Sequence, residues 1–141
     1  MSADKRMRRS SIARAAKSDK GRRTAAAVSD ELREAKLLTY AREGGMCGRC
    51  GQARADECQH RLARGMGGST LDSTHAPSHL VWLCRACHLW AERGARTQAA
   101  VDGFVIFHGE QQPADIPILY RGTWALLDDV GTVHFTGELT L

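Results

Sequence analysis

The 141-residue chain has few aromatic residues, few prolines and no long apolar run. Aromatic residues account for 6% of the sequence, and there are 3 prolines. No apolar stretch approaches the roughly 20 residues that cross a bilayer. The charged N-terminus also lacks the apolar centre of a secretory signal. We therefore expect a cytoplasmic protein with no membrane partner, and the length suits one compact domain.

Charge is distributed unevenly along the chain. Residues 1–28 carry nine basic side chains against Asp4 and Asp19, a net charge of +7, whereas the whole chain carries +4, which leaves −3 for residues 29–141. The basic residues are Lys5, Arg6, Arg8, Arg9, Arg14, Lys17, Lys20, Arg22 and Arg23. A basic arm on a nearly neutral body is typical of a protein that binds a polyanion, most often nucleic acid, because neutralised phosphates release counterions. The alternative is a solvated, poorly ordered terminus without a partner.

Three regions follow one another along the sequence. Residues 1–28 form the basic arm, which we expect to be mobile or loosely helical. Residues 29–100 begin with a predicted helix, "SDELREAKLLTYAREGG", in which Ser29 is a candidate N-cap and two glycines give a stop signal. Residues 101–141 contain the short apolar runs "FVIF", "PILY", "TWALLDD" and "TVHFT". These runs predict a small β-rich extension, with a hairpin turn at "DDVG".

Two cysteine pairs, "CGRC" and "CRAC", dominate the central region. They are Cys47 with Cys50 and Cys84 with Cys87. A two-residue gap lets both thiolates of a tight turn reach one ion, and two such knuckles complete the tetrahedral shell of a structural zinc ion. Two redox dithiols or four buried thiols are the alternative. A small domain with few aromatic residues also needs the stability that a bound metal supplies.

The spacing predicts a strand–strand–helix arrangement around this metal. Residues 55–60 would form one strand and residues 79–83 the second, and a helix would begin near Arg85. His60 ends the first strand and His88 lies in the first turns of the helix, so both can face one cleft. An imidazole is a suitable proton acceptor at neutral pH.

Basic residues and glycines surround this predicted cleft. Arg61, Arg64 and Arg85 would supply positive charge to a phosphate backbone. The glycines at positions 65, 67 and 68 would let the loop that carries Arg64 approach a groove closely. No element that reads bases is evident.

The motif over residues 47–90 resembles the HNH endonucleases. The shared features are C-x-x-C, a polar residue before His, a Gly-Gly loop, "LVWLC" and a final C-x-x-C-H. The sequence is most similar to the zinc-knuckle type common among bacteriophages of actinobacteria. The resemblance implies an α+β chain with a small ββα-metal fold, preceded by a helix and followed by short C-terminal strands.

The resemblance also implies roles for individual residues. His60 occupies the position of the general base, and His88 that of a ligand of a catalytic divalent cation such as Mg²⁺, Mn²⁺, Ni²⁺ or Zn²⁺. His79 stands where the family usually has asparagine, and Gln59 where it has aspartate or histidine. His79 could compensate as a ligand and catalytic residue beside Arg61. Glu57 is a reserve ligand, because an amide oxygen binds hard cations less well than a carboxylate does.

These features predict a metal-dependent DNA endonuclease or nickase, with the arm residues Arg8, Arg9, Arg22 and Arg23 and the loop arginines contacting DNA. The alternative is a protein that has the zinc site and the basic arm but does not cleave DNA. Such a protein would be a DNA-binding module, or an accessory of phage terminase and packaging proteins.

Overall fold

A computed structural model describes residues 27, 29–62, 75–107 and 112–137. These residues form a small α+β domain with two antiparallel sheets, one of two strands and one of three. The helices are α1 (29–43), α2 (Arg85–Leu89) and α3 (Arg96–Val101), and the strands are β1 (Glu57–His60), β2 (Leu80–Leu83), β3 (Ile118–Tyr120), β4 (Thr123–Leu127) and β5 (Val133–Phe135). A π-helical turn, Trp90–Gly94, links α2 to α3. None of the helices in this part of the chain combines the length and the apolar character that a membrane crossing requires.

The central hairpin has the predicted strand–strand–helix order. β1 pairs antiparallel with β2, with Gln59 opposite Val81 and His60 opposite Leu80. Val81 is completely buried and belongs to the apolar core. Cys84 then forms the N-cap of α2. The helix therefore starts directly at the second knuckle.

The C-terminal sheet has the order β3-β4-β5. The Asp128 carboxylate accepts hydrogen bonds from the backbone N–H groups of Val130 and Thr132, at 3.0 and 2.8 Å, and so closes the predicted turn between β4 and β5. The strand predicted at "FVIF" is wrong. In this segment only Ile106 forms a bridge, to Leu62, because the preceding residues are buried in the core as irregular chain.

Both sheets contribute to one apolar core. The buried cluster contains Cys47, Val81, Leu83, Cys84, Cys87, Ala91, Ala99, Phe104, Val105, Ile118, Tyr120, Ala125 and Leu127. Residues from β3 and β4 thus pack with the metal-binding cysteines and with β2. The C-terminal strands complete the same core that the knuckles occupy.

Helix α1 packs on the hairpin through polar contacts. The hydroxyl of Thr39 accepts a hydrogen bond from the indole of Trp82 at 3.0 Å, and the carboxylate of Glu43 accepts one from the Trp82 backbone N–H at 3.1 Å. The predicted stop is confirmed, because Gly44 and Gly45 both have positive φ. Residue 27 is also helical, so Ser29 lies inside the helix and its prediction as the N-cap is wrong.

The turn between β3 and β4 is fastened to the first knuckle by Arg121. This residue has a left-handed backbone with φ of 50°. Its guanidinium donates to the carbonyl oxygens of Cys47 at 3.2 Å, of Met46 at 3.1 Å and of Glu43. The knuckle backbone is therefore supported by a residue that lies far along the chain, 74 positions after Cys47.

Candidate active site

The four knuckle cysteines come together as predicted. Their sulfur atoms all lie within 4.8 Å of one another. Backbone N–H groups of Arg49 and Cys50 point at the sulfur of Cys47, at 3.4 and 3.5 Å. Four sulfur donors on two tight turns fit a tetrahedral ion that accepts thiolates, and zinc is the ion that such sites ordinarily hold. The cluster is therefore positioned to bind a structural metal ion.

Three of the cluster thiols have shifted pKa values. Burial raises the pKa of Cys87 to about 12, and burial also raises that of Cys84. Burial acts in the same direction on Cys50, but hydrogen bonds from the backbone of Gln52 and Ala53 outweigh it and lower its pKa to about 7. Because a metal binds the thiolate, metal binding at this cluster must release protons.

A cleft of about 300 Å³ opens beside the hairpin and α2. Its lining residues are Cys58, Gln59, His60, Arg61, His88, Glu92, Arg96 and Val105. Three of the residues predicted to act together, Gln59, His60 and His88, are thus brought to one place. The half-buried His60 also meets the His75 ring edge to face, with centroids 5.9 Å apart.

His88 is held by two carboxylates. Its Nε2 lies 3.0 Å from Glu57 and 3.3 Å from Glu92, and Arg85 lies 3.5 Å from the other oxygen of Glu57. In a neutral imidazole these contacts place the proton on Nε2 and the lone pair on Nδ1. The Nδ1 atom is buried and has no hydrogen-bond partner among the described residues. A histidine whose second nitrogen donates to a carboxylate is the usual form of a metal-binding histidine.

Gln59 offers a second buried acceptor in the same cleft. Its side chain is almost completely buried, and its amide nitrogen donates to the Phe104 carbonyl at 3.4 Å. The amide oxygen is buried and finds no hydrogen-bond donor in the described part of the chain. A buried acceptor without a partner is costly. Gln59 Oε1 and His88 Nδ1 are in this condition among the described residues, as is the Nδ1 of His79.

The prediction for His79 does not fit the structure. His79 does not line the cleft, and its side chain is 2% exposed. The predicted second strand begins at Leu80 and not at His79, which ends the 3-10 turn Pro77–His79 and whose carbonyl accepts the backbone N–H of Arg61 at 2.7 Å. Burial lowers the pKa of His79, although the carboxylate of Asp129 partly opposes this. His79 is therefore a buried structural residue.

The prediction that Arg61 contacts phosphate is also wrong. Its side chain is fully buried, and it donates to four backbone carbonyls. The acceptors are Gly103 at 2.8 Å, Ser78 at 3.0 Å, Pro113 at 3.1 Å and Ile116 at 2.8 Å. Burial, together with the charge of Arg42, lowers the pKa of Arg61 to about 9. The guanidinium connects the end of β1 to the C-terminal chain.

Glu57 and Arg85 form an ion pair beside His88. The carboxylate of Glu57 contacts His88 and Arg85. This arrangement makes Glu57 a residue that orients His88. The Arg85 side chain is 76% exposed beside the cleft, where it can reach a phosphate. The predicted DNA-contacting residues Arg8, Arg9, Arg22, Arg23 and Arg64, and the loop glycines, lie outside the described residues.

Glu92 and Arg96 line the cleft but were not predicted as site residues. Glu92 lies four positions after His88, so extension of the helical period beyond the second knuckle would have identified it. Arg96 begins α3, after a break in the helix at Ala95, and the period does not indicate it.

Comparisons with models of protein families, with curated proteins and with solved structures find no match for this chain. The residues of the cleft and the cysteine cluster are therefore the basis on which a function can be assigned.

Proposed function

We propose that the protein is a divalent-metal-dependent DNA endonuclease of the HNH type, which hydrolyses phosphodiester bonds with His60 as general base. One observation carries the proposal. A single cleft beside the four-cysteine cluster contains His60 together with two buried acceptors, Gln59 Oε1 and His88 Nδ1, that lack partners among the described residues. The motif over residues 47–90 supports the same function.

Gln59 Oε1 and His88 Nδ1 are the two atoms that would bind a catalytic cation. An amide oxygen and an imidazole nitrogen suit Mn²⁺, Ni²⁺ or Zn²⁺, and Mg²⁺ binds such a site more weakly. When bound, the cation would neutralise charge on the phosphate and on the leaving oxygen. Glu57 and Glu92 hold His88 in the tautomer that keeps its Nδ1 lone pair available.

The remaining residues supply proton transfer and charge. His60 lies at the end of β1 in the cleft, where its imidazole takes a proton from the attacking water. Arg96 in the cleft and Arg85 next to it supply positive charge for the scissile phosphate. The net charge of +7 on residues 1–28 attracts the DNA backbone without selecting a sequence.

One observation favours a second candidate, a zinc-containing DNA-binding or packaging-accessory protein without turnover. The side chain at position 59 is a neutral amide whose nitrogen is bonded to the Phe104 carbonyl. A site with a neutral oxygen ligand binds hard cations less tightly than a carboxylate site.

A nicking assay distinguishes the two functions. Supercoiled plasmid is incubated with zinc-loaded protein and Mg²⁺, Mn²⁺, Ni²⁺ or no added metal, and open-circular product is measured over time. We expect metal-dependent nicking, with a loss of about 100-fold or more in His60→Ala and a similar loss in His88→Ala.

The matched control is His134→Ala. His134 lies in β5, is exposed and contacts Asp128, and neither residue lines the cleft. It should nick like the unmodified protein. Equal nicking by His60→Ala would exclude the proposed base, and no nicking with any of the metals would favour the non-catalytic function.

A further inference from the structure

An exposed aromatic ring lies at the rim of the cleft. The Phe107 side chain is 55% exposed, and the Arg96 guanidinium lies 5.6 Å from the centre of its ring. Arg96 also lines the cleft that contains His60 and His88. The pair therefore extends the proposed active site outward.

The backbone holds this ring next to the strand that carries His60. The N–H of Ile106 donates to the Arg61 carbonyl at 2.6 Å, and Ile106 bridges Leu62 in parallel. Ile106 itself is 7% exposed, so the chain is anchored one residue before Phe107. The backbone that carries the ring is thus held next to the end of β1.

Arg96 is the residue of the cleft whose positive charge can contact a ligand. Among the described residues that line the cleft, the other arginine is Arg61, and its guanidinium is directed at four backbone carbonyls. The Arg96 side chain is exposed. A planar guanidinium binds phosphate well and also stacks on aromatic rings.

A guanidinium beside an exposed ring matches the two parts of a nucleotide. The cation suits the phosphate, and the ring suits the face of a base. Inside a duplex both faces of each base are covered by the neighbouring base pairs, so away from a duplex end a base that stacks on Phe107 must be unpaired. We propose that Arg96 and Phe107 bind an unpaired nucleotide next to the scissile phosphate, which makes single-stranded DNA, or a duplex with an unpaired nucleotide, the preferred substrate. This inference rests on the proposed function.

Binding measurements test the stacking directly. Full-length protein carrying His60→Ala, which removes cleavage during the measurement, is titrated into a fluorescent single-stranded oligonucleotide and into the matching duplex. Elevated salt reduces the contribution of the basic arm. Addition of Phe107→Ala should weaken single-strand binding by about 5- to 150-fold and leave duplex binding unchanged. Addition of Arg96→Gln should lower the salt dependence of binding by about one phosphate contact.

Phe135→Ala is the matched control, because Phe135 is also an exposed phenylalanine in contact with one other ring, Tyr120, and it does not line the cleft. It should bind both DNAs like the parent. Equal losses on single strand and duplex in Phe107→Ala, or no loss on either, would overturn the proposal.

An abasic scan locates the stacked base. One nucleotide at a time is replaced by an abasic site in the single strand. At one position the replacement should weaken binding to the parent but cause no further loss in Phe107→Ala, which is the coupling expected of two groups in contact. Independent losses at every position would exclude a stacked base.

Failure of the proposed function gives a different result. If the unmodified protein nicks no DNA with any metal but Phe107-dependent single-strand binding persists, the nuclease proposal fails and the nucleotide site stands. If the unmodified protein nicks DNA and Phe107→Ala cleaves single strand and duplex with unchanged KM, the nuclease proposal stands and the nucleotide site is excluded.

Discussion

At the residue scale, the buried Arg61 side chain makes four hydrogen bonds, all of them to backbone carbonyls. Its buried guanidinium satisfies four carbonyls that belong to three separate segments, 77–79, 101–103 and 113–116. Arg61→Leu removes a donor from all four acceptors, although the Pro113 carbonyl keeps the backbone N–H of Ile116 at 3.2 Å. The free energy of unfolding should fall by at least about 3 kcal/mol. Urea denaturation measures the loss. Arg33→Gln is the control, because Arg33 is 75% exposed, and a comparable loss there would contradict the explanation.

His79 should make stability depend on pH. Burial lowers its pKa, Asp129 raises it less, and Arg61 and His75 lower it further. Because the folded pKa is below the unfolded one, the unfolded chain binds the proton more readily. The stabilising effect is complete above the ordinary histidine pKa of about 6.5 and is lost as the pH falls below it.

The test compares His79→Asn with the unmodified zinc-loaded protein between about pH 8 and pH 5. Asparagine does not titrate, so the unfolding midpoint of the variant should fall less steeply with acidification. Protonation of the cysteines affects both proteins alike, and parallel pH profiles would therefore show that His79 is protonated equally in both states.

The role of a residue can be predicted from the sequence where it depends on local spacing. It cannot be predicted where it depends on contacts with residues far away in the sequence. The cysteine pairs identify the metal cluster because two-residue gaps determine which sulfurs can share an ion. The burial of Arg61 depends on carbonyls 17 to 55 positions away, which no local pattern indicates. The predicted role of His79 is wrong because the pattern predicts a strand from residue 79, whereas the buried His79 ends the 3-10 turn Pro77–His79 before β2.

At the scale of elements, the turn after α3 approaches the start of β3 very closely. Gly103 has φ of 83°, and a Cβ built there would lie 2.1 Å from the Pro117 carbonyl oxygen and 2.8 Å from Ile118 Cα. Gly103→Ala should therefore destabilise the protein by more than about 3 kcal/mol, through a backbone clash in addition to conformational strain.

Gly122 provides a control with the same backbone conformation. Its φ is also 83°, but a built Cβ meets no atom of the described residues within 4 Å. Gly122→Ala should cost only the strain of a left-handed residue, about 1 to 2 kcal/mol. Thermal unfolding of both variants separates the clash from the strain, and equal destabilisation would show that the close approach is absent.

The elements themselves are largely predictable. The hairpin, α2 and the C-terminal strands β3, β4 and β5 follow from apolar runs bounded by turn residues. The strand prediction for "FVIF" fails because a continuous apolar run is common to buried strands and to buried irregular chain. The polar contacts by which Thr39 and Glu43 of α1 meet the hairpin do not follow from an apolar pattern, and Leu38 of the same helix remains 43% exposed.

At the scale of the whole molecule, the metal cluster and the C-terminal sheet should unfold together. Cys47, Cys84 and Cys87 share one core with residues of β3 and β4. Structural zinc contributes about 10 to 16 kcal/mol in small zinc domains, as much as the total stability of a typical domain of about 5 to 15 kcal/mol. Chelation should therefore unfold both sheets.

Tryptophan fluorescence follows each sheet separately. Trp82 lies in β2 and Trp124 in β4, so variants that carry Trp90→Phe and retain only one of these two tryptophans report on one sheet each. Their transitions during titration with a zinc chelator should coincide. A C-terminal sheet that survives chelation would show that it folds independently.

The basic arm should control DNA affinity without affecting the fold. Deletion of residues 1–28 removes a net charge of +7. The slope of log K against log salt should fall by about one for each phosphate that the arm neutralises, and the unfolding midpoint should not change. Filter binding over a salt series measures the slope, and an unchanged slope would show that the arm does not contact DNA.

The hydrogen bonds from Arg121 to the first knuckle can form only late in synthesis of the chain. Cys47 and Cys50 leave the ribosome long before Arg121 has been translated, yet the Arg121 guanidinium bonds to the carbonyls of Met46 and Cys47. A nascent chain can gather its four cysteines once Cys87 has emerged. At that time the backbone carbonyls of the turn around the first pair still lack the hydrogen bonds that the Arg121 side chain donates. A metal ion captured during translation would therefore be exchanged more readily than the same ion in the finished protein.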